Sequence, residues 1–139
     1  MKAVVRHVLP EHVAGVLPKA LPFIEQGMEH ATAYNTEHVK LYLAEGKWSL
    51  FVVVDEDLAV AGAYVVCFQN EPDNRVAFIV SAAGKGLGSP VLLGQLDDWF
   101  RSFGATKVKA LARESAARLY VKSGFKEVSI LVEKDLWAT

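Results

Sequence analysis

The run Val76-Ala77-Phe78-Ile79-Val80 is followed by a glycine-rich stretch, Ser81 to Ser89, and then by an amphipathic stretch reaching Phe103. A short apolar run bounded by turn residues reads as a buried strand. In the last stretch Val91, Leu92, Leu96, Trp99, Phe100 and Phe103 recur at helical spacing, opposite Gln95, Asp97, Asp98 and Arg101. Strand, glycine turn and helix N-terminus together demand a sheet with a helix folded back onto it. They also gather unpaired backbone N–H groups and the positive end of a helix dipole at one point, where a phosphate can sit.

The remaining pattern builds around that unit. Ala3–Val8 alternates weakly and predicts a first strand, β1. Pro10 opens a helical segment, α1, reaching about Gly27; Pro18 and Pro22 interrupt it, which predicts two short pieces or one kinked helix. Met28–Tyr34 is a connection, and Asn35 or Thr36 caps a second helix, Glu37–Glu45 (α2), stopped by Gly46. Ser49–Val54 (β2), Leu58–Phe68 (β3) and Arg75–Val80 (β4) are apolar runs joined by Asp55-Glu56-Asp57 and by a turn holding Pro72-Asp73-Asn74. Short turns between such runs make an antiparallel meander. Pro90–Phe103 is α3, Thr106–Ala112 is β5, Glu114–Ser123 is α4, and Phe125–Glu133 alternates as a last strand, β6. The crossover through α3 predicts a parallel pairing of β4 with β5. The fold class is α/β in the α+β sense: a mixed, mostly antiparallel sheet with helices on both faces, in the order β1-α1-α2-β2-β3-β4-α3-β5-α4-β6. The 139 residues suit a single domain, 1–139.

Composition narrows the function classes. A net charge of -1 with no Lys/Arg cluster gives no footprint for nucleic acid. The longest apolar run, Leu58–Phe68, is too short to span a bilayer, and the N-terminus lacks a signal-peptide core, so a membrane is not expected. The single cysteine, Cys67, forbids a disulfide framework within one chain; it reads as a small core residue, and the chain as cytoplasmic. His7, His12, His30 and His38 show no metal-ligand spacing, so no metal is expected.

Several loop readings compete. A Walker A loop needs Gly-Lys followed by Ser or Thr at its end, whereas Lys85 comes early. A dinucleotide fingerprint needs a third glycine where Ser89 stands, and it opens a βαβ unit rather than following a meander. A glycine turn holding no ligand stays open on the glycines alone.

Order and a second motif separate these. Gly84-Lys85-Gly86-Leu87-Gly88-Ser89, followed by Val91-Leu92-Leu93, resembles the arginine–glycine–any–glycine–aliphatic–glycine segment of the GNAT N-acyltransferase superfamily. Ala116-Ala117-Arg118-Leu119-Tyr120-Val121-Lys122-Ser123-Gly124-Phe125 resembles its A-x-x-L-Y-x-x-x-G-F segment. The resemblance implies an N-acetyltransferase that moves the acetyl group of acetyl-CoA directly to a primary amine on a small molecule or a protein. It implies that β4 and β5 splay, that Ile79, Val80 and Ser81 line the pantetheine arm, and that Ala83, Gly84, Lys85, Gly86, Leu87, Gly88 and Ser89 hold the pyrophosphate. It implies Tyr120 as the general acid.

The chain departs from the pattern in places. Ala83 stands where the family carries Arg or Gln, Pro90 supplies no N–H, β4 offers no glutamate as base, and Phe125–Trp137 has room for one strand where relatives have a hairpin. His30, near Tyr34 and His38, is the candidate base in the acceptor region; Glu71 and Asp73 read as solvated, and Arg113, Arg118 and Lys122 as either phosphate contacts or solvated face. A non-catalytic GNAT-like binding or assembly module that retains CoA, of the kind found in phages, and a nucleotide-binding protein are the other readings. An exposed sheet edge beside Phe125–Glu133 predicts a homodimer.

Overall fold

The structure, a computed structural model, describes residues 3–29 and 33–137. Its elements are β1 (Val4–Val8), a 3-10 turn (Pro10–His12), α1 (Val13–Gly27), α2 (Thr36–Ala44), β2 (Ser49–Val54), β3 (Val60–Asn70), β4 (Arg75–Gly84), α3 (Pro90–Ser102), β5 (Lys107–Ala110) and α4 (Glu114–Lys122). The sheet order follows the chain, β1-β2-β3-β4-β5. The first three contacts are antiparallel and β4 pairs with β5 in parallel, as the crossover through α3 requires.

Both sheet faces are covered, which is why β2 and β3 read as continuous apolar runs. On one face Phe51, Val53, Tyr64, Val66, Ala77 and Ile79 pack against Leu92, Leu93, Leu96 and Phe100 of α3. On the other, Leu50, Val52, Ala63 and Val65 pack against Val13, Ala20 and Ile24 of α1 and Val39 and Leu43 of α2. Each buried large side chain contributes about 1.5–3 kcal/mol by leaving water. From α3, Gln95 and Trp99 also bond the edge strand: the Val5 amide donates to Gln95 Oε1 at 2.8 Å, and Trp99 Nε1 donates to the Val5 carbonyl at 2.9 Å.

Three expectations change and one is narrowed. First, of the two readings of α1 the single helix holds, running through Pro18 and Pro22. Both prolines are exposed, so water reaches the carbonyls they leave unbonded, while Val13, Ala20 and Ile24 hold the opposite face in the core. Second, Leu58 lies in the turn before β3 with φ 62, and the strand begins at Val60. Third, Cys67 is only half-buried, with Gln69 Nε2 at 3.8 Å from its sulfur. Fourth, Phe125–Glu133 forms no strand: residues 126–137 are exposed and unpaired among the described residues. Alternation states how a strand would pair, not whether an edge lies within its reach.

Candidate functional site

β4 and β5 pair only over Val76–Ile79 and Lys107–Ala110. β4 continues to Gly84 with β3 alone beside it. The register against β3 jumps at the same place: Val66 faces Ile79 and Val65 faces Ser81, so Val80 is a bulge residue without a partner on β3. A bulge bends and twists its strand. The β4–β5 pairing therefore ends next to the bulge, at the carboxyl end of β5, while β4 runs on to Gly84.

The bulge sorts the predicted donor-lining residues. Ile79 is buried on the α3 face, whereas Ser81 turns to the α1 face. There it is 3% exposed, its hydroxyl has no hydrogen-bond partner among the described residues, and a Cβ on Gly27 would lie 2.1 Å from its Oγ. Ala83 and Gly84 belong to the strand rather than to the turn, paired with Ala63 and Gly62. Gly84 has φ 137, and a Cβ there would lie 2.6 Å from Gly62 Cα and 2.7 Å from the Ala61 carbonyl. Only glycine lets the chain leave the sheet so tightly.

The turn proper is 85–89. Lys85 and Gly86 are exposed, while Leu87 is buried in the α3-face core. The Tyr64 hydroxyl donates to the Leu87 carbonyl at 3.0 Å from below. Burial raises the Tyr64 pKa well above the ordinary phenol value, with the neighbouring Tyr120 adding to it. Ser89 caps α3 by accepting the Leu92 amide at 3.2 Å, its own amide donates to the Gly86 carbonyl at 3.0 Å, and Pro90 fills the first helical position. Among the described residues, the amides of 85–88 and of Val91 make no backbone hydrogen bond. Those donors gather at the positive end of α3, an arrangement with the chemistry to cradle an anion.

α4 closes the cradle's other side. A Cβ on Gly88 would lie 3.0 Å from Leu119 Cδ1, so the loop and α4 touch. One position on, Tyr120 packs half-buried at the edge of the α3-face core, 4.8 Å from the Phe125 ring. Burial raises its pKa, which keeps its proton at neutral pH. Arg113 precedes α4 as its N-cap.

Of the candidate bases, His30 lies outside the described residues. His38 is a helix cap: its Nδ1 accepts the Asn35 amide at 3.0 Å, and its own amide donates to Asn35 Oδ1 at 3.0 Å. Glu71 is not free in solvent; Lys109 Nζ holds it at 2.8 Å, tying β5 to the β3–β4 turn. No group of three or more metal-ligating side chains occurs among the described residues. No described helix is long and apolar enough to cross a membrane. Sequence reading passes over Tyr64 and Gly62, which shape the cradle from outside it, and names Leu119 only as part of the second motif; the one tyrosine of the β3 run is the only hint at the first.

No family model and no curated protein matches the chain. Solved structures do. An acetyltransferase from Trypanosoma brucei aligns with a TM-score of 0.65 at 17% identity, over 97% of this chain and 100% of that one. A predicted acetyltransferase with acetyl-CoA from Clostridium acetobutylicum aligns at 0.63 and 15%, over 97% of each chain. An aminoglycoside acetyltransferase from an uncultured soil metagenomic sample, in complex with sisomicin, aligns at 0.70 and 13%, over 99% and 97%. The chain has the GNAT fold.

Proposed function

We propose that this chain is an acetyl-CoA-dependent N-acetyltransferase acting on a primary amine. The observation that carries the reading is the end of β4–β5 pairing beside the Val80 bulge, which leaves the β4 edge open next to turn amides without a backbone partner. The residues present fit an acyl-CoA. The amides of 85–88 and Val91 suit a diphosphate, and the open edge of β4 from Val80 to Gly84 suits the amide-bearing arm behind it. Bound there, the co-substrate supplies an activated thioester.

The chain's own residues then have three tasks. Beyond Ile79 the β4 backbone has no β5 beside it, and an N–H of that open edge serves the thioester carbonyl. Tyr120, protonated at neutral pH, gives its proton to the departing sulfur as the amine nitrogen bonds to the carbonyl carbon and the carbon–sulfur bond breaks. The proton lost by the amine leaves through water. An amine acceptor accords with the solved aminoglycoside acetyltransferase of the same fold. The lone cysteine suits a reducing, cytoplasmic setting.

The test compares melting with acetyl-CoA and with ATP. At one hundred times its dissociation constant a ligand adds about 2.7 kcal/mol. Stabilisation by acetyl-CoA is expected; stabilisation by ATP alone overturns the reading in favour of a nucleotide-binding protein. Turnover of an amine panel then separates an enzyme from a binding module that holds CoA without using it.

A further inference from the structure

The carbonyl of Leu87 is drawn into the molecule. The hydroxyl of the fully buried Tyr64 donates to it at 3.0 Å. Two residues earlier on the same face of β3, Gly62 leaves room for the Leu87 side chain: a Cβ there would lie 2.8 Å from Leu87 Cδ2. β3 therefore holds Leu87 by its side chain and by its carbonyl at once. A trans peptide is planar, so its C=O and N–H point in opposite directions. With the Leu87 carbonyl turned inward, the Gly88 N–H of the same peptide is turned outward, and it makes no backbone hydrogen bond.

That peptide has an alternative orientation. The Ser89 amide donates to the Gly86 carbonyl at 3.0 Å, which closes a β-turn with Leu87 and Gly88 at its centre. The two common turn forms differ by a half-rotation of the central peptide, and the second needs a positive φ where Gly88 stands. Gly88 is not at positive φ, so the turn does not take that form. Glycine could adopt it without steric cost. Rotated, the peptide would aim the Leu87 carbonyl oxygen at a bound anion and leave the Tyr64 hydroxyl buried without its partner.

We infer that Tyr64 is a positioning residue for the co-substrate: its hydroxyl fixes the Leu87–Gly88 peptide with the N–H outward, so the turn meets a diphosphate with a donor instead of a carbonyl oxygen. That the diphosphate belongs to an acyl-CoA rests on the proposed function. A turn divided between two orientations binds with an affinity reduced by the fraction in the competent one, and the hydroxyl removes that loss. Burial keeps the phenol protonated, so the donor is present throughout the neutral range.

Titration of the isotope-labelled full chain with inorganic pyrophosphate, followed by NMR, tests this. In the wild type the Gly88 amide resonance is expected to move as the ion is added. Tyr64→Phe keeps the ring and removes the hydroxyl. It should weaken pyrophosphate binding roughly tenfold, and its Leu87 carbonyl and Gly88 amide resonances should already differ from the wild type before any ion is present. A Gly88 resonance that stays still in the wild type overturns the inference, whether or not other turn amides move. So does a folded Tyr64→Phe that binds pyrophosphate as tightly as the wild type. A crystal structure of the wild type with pyrophosphate is the second measurement and needs no variant to fold. The Tyr64–Leu87 bond is expected intact, with the Gly88 nitrogen on a phosphate oxygen; a rotated peptide, or a Tyr64 hydroxyl released from Leu87, overturns the assignment. Acetyl-CoA melting reads the co-substrate separately. Stabilisation with a still Gly88 resonance sinks this role of Tyr64 alone. A moving Gly88 resonance without stabilisation sinks the acyl-CoA reading and leaves Tyr64 orienting the turn for another diphosphate.

Discussion

Two tyrosines and a histidine show how burial decides a side chain's task. Tyr64 and Tyr120 are neighbours under the glycine turn, and burial raises the pKa of both. Tyr64 is committed to the Leu87 carbonyl, so its proton is engaged in holding the turn. Tyr120 has no such bond among those found, and it is the one available as an acid. Tyr120→Phe is expected to lower kcat by about 10²-fold or more, the usual worth of a positioned acid, and to leave stabilisation by acetyl-CoA unchanged. An unchanged kcat removes Tyr120 from the mechanism. His7 is the opposite case. Its ring lies 5.0 Å from Phe51 and 4.9 Å from Phe103, and burial lowers its pKa below 6.5. Between that lowered value and 6.5 the unfolded chain binds more protons than the folded one. Stability from this residue is therefore complete above about pH 6.5 and falls as the solution is acidified through that window. His7→Phe keeps an aromatic ring in the cluster. The difference in melting temperature between variant and wild type should widen in the variant's favour from pH 7 toward pH 5, and a difference that stays flat would show that His7 does not titrate there.

At the scale of elements, the glycine turn works because two close approaches hold it. Gly84→Ala places a Cβ against Gly62 and the Ala61 carbonyl at a φ that alanine resists. The expected loss is about 1–3 kcal/mol of stability, read by thermal melting, with a smaller acetyl-CoA shift because the cradle is displaced. Gly46→Ala, at a helix stop where no atom lies within 4 Å of the added carbon, is the control: it should cost stability without touching the acetyl-CoA shift. Which parts of this were legible in sequence follows from what each depends on. The Ser89 cap with Pro90 after it, the meander and the α3 stripe are local chemistry, and the chain shows all three as read. The Val80 bulge is a property of register between two strands. Ile79 and Ser81 share parity, yet they face opposite sides of the sheet, and no spacing in Val76–Gly84 marks the break. The prolines of α1 leave one helix or two open in the sequence, because propensity says nothing of which face carries them. The alternation at Phe125–Glu133 misleads because alternation says which face a strand would present, not whether it pairs with an edge. Tyr64 and Leu119 act on the site through contacts far apart in sequence, which only the fold brings together.

The whole molecule is one sheet with a core on each face, and the candidate site belongs to one of them. β2 and β3 contribute to both cores, alternating Phe51 and Val53 with Leu50 and Val52. Loss of either core therefore unpairs strands the other needs, and the chain is expected to melt in a single transition as one domain. Leu43, fully buried on the α2 side, and Phe100, 1% exposed under α3, test the two sides. Leu43→Ala should cost about 2–5 kcal/mol and Phe100→Ala about 3–5 kcal/mol, each in one cooperative step. Acetyl-CoA should tell them apart. A ligand that binds only the folded state adds the same increment to any variant whose site is intact. Leu43 lies across the sheet from the cradle, so at a saturating concentration its variant should gain as much as the wild type. Phe100 shares a core with Leu87 and Leu92, the residues that seat the turn and the first turn of α3. Its truncation should lower affinity and shrink the gain. Equal gains in all three proteins would mean that the α3-face core does not shape the anion cradle. A gain lost in Leu43→Ala instead would move the donor site to the α1 side of the sheet, where Ser81 points.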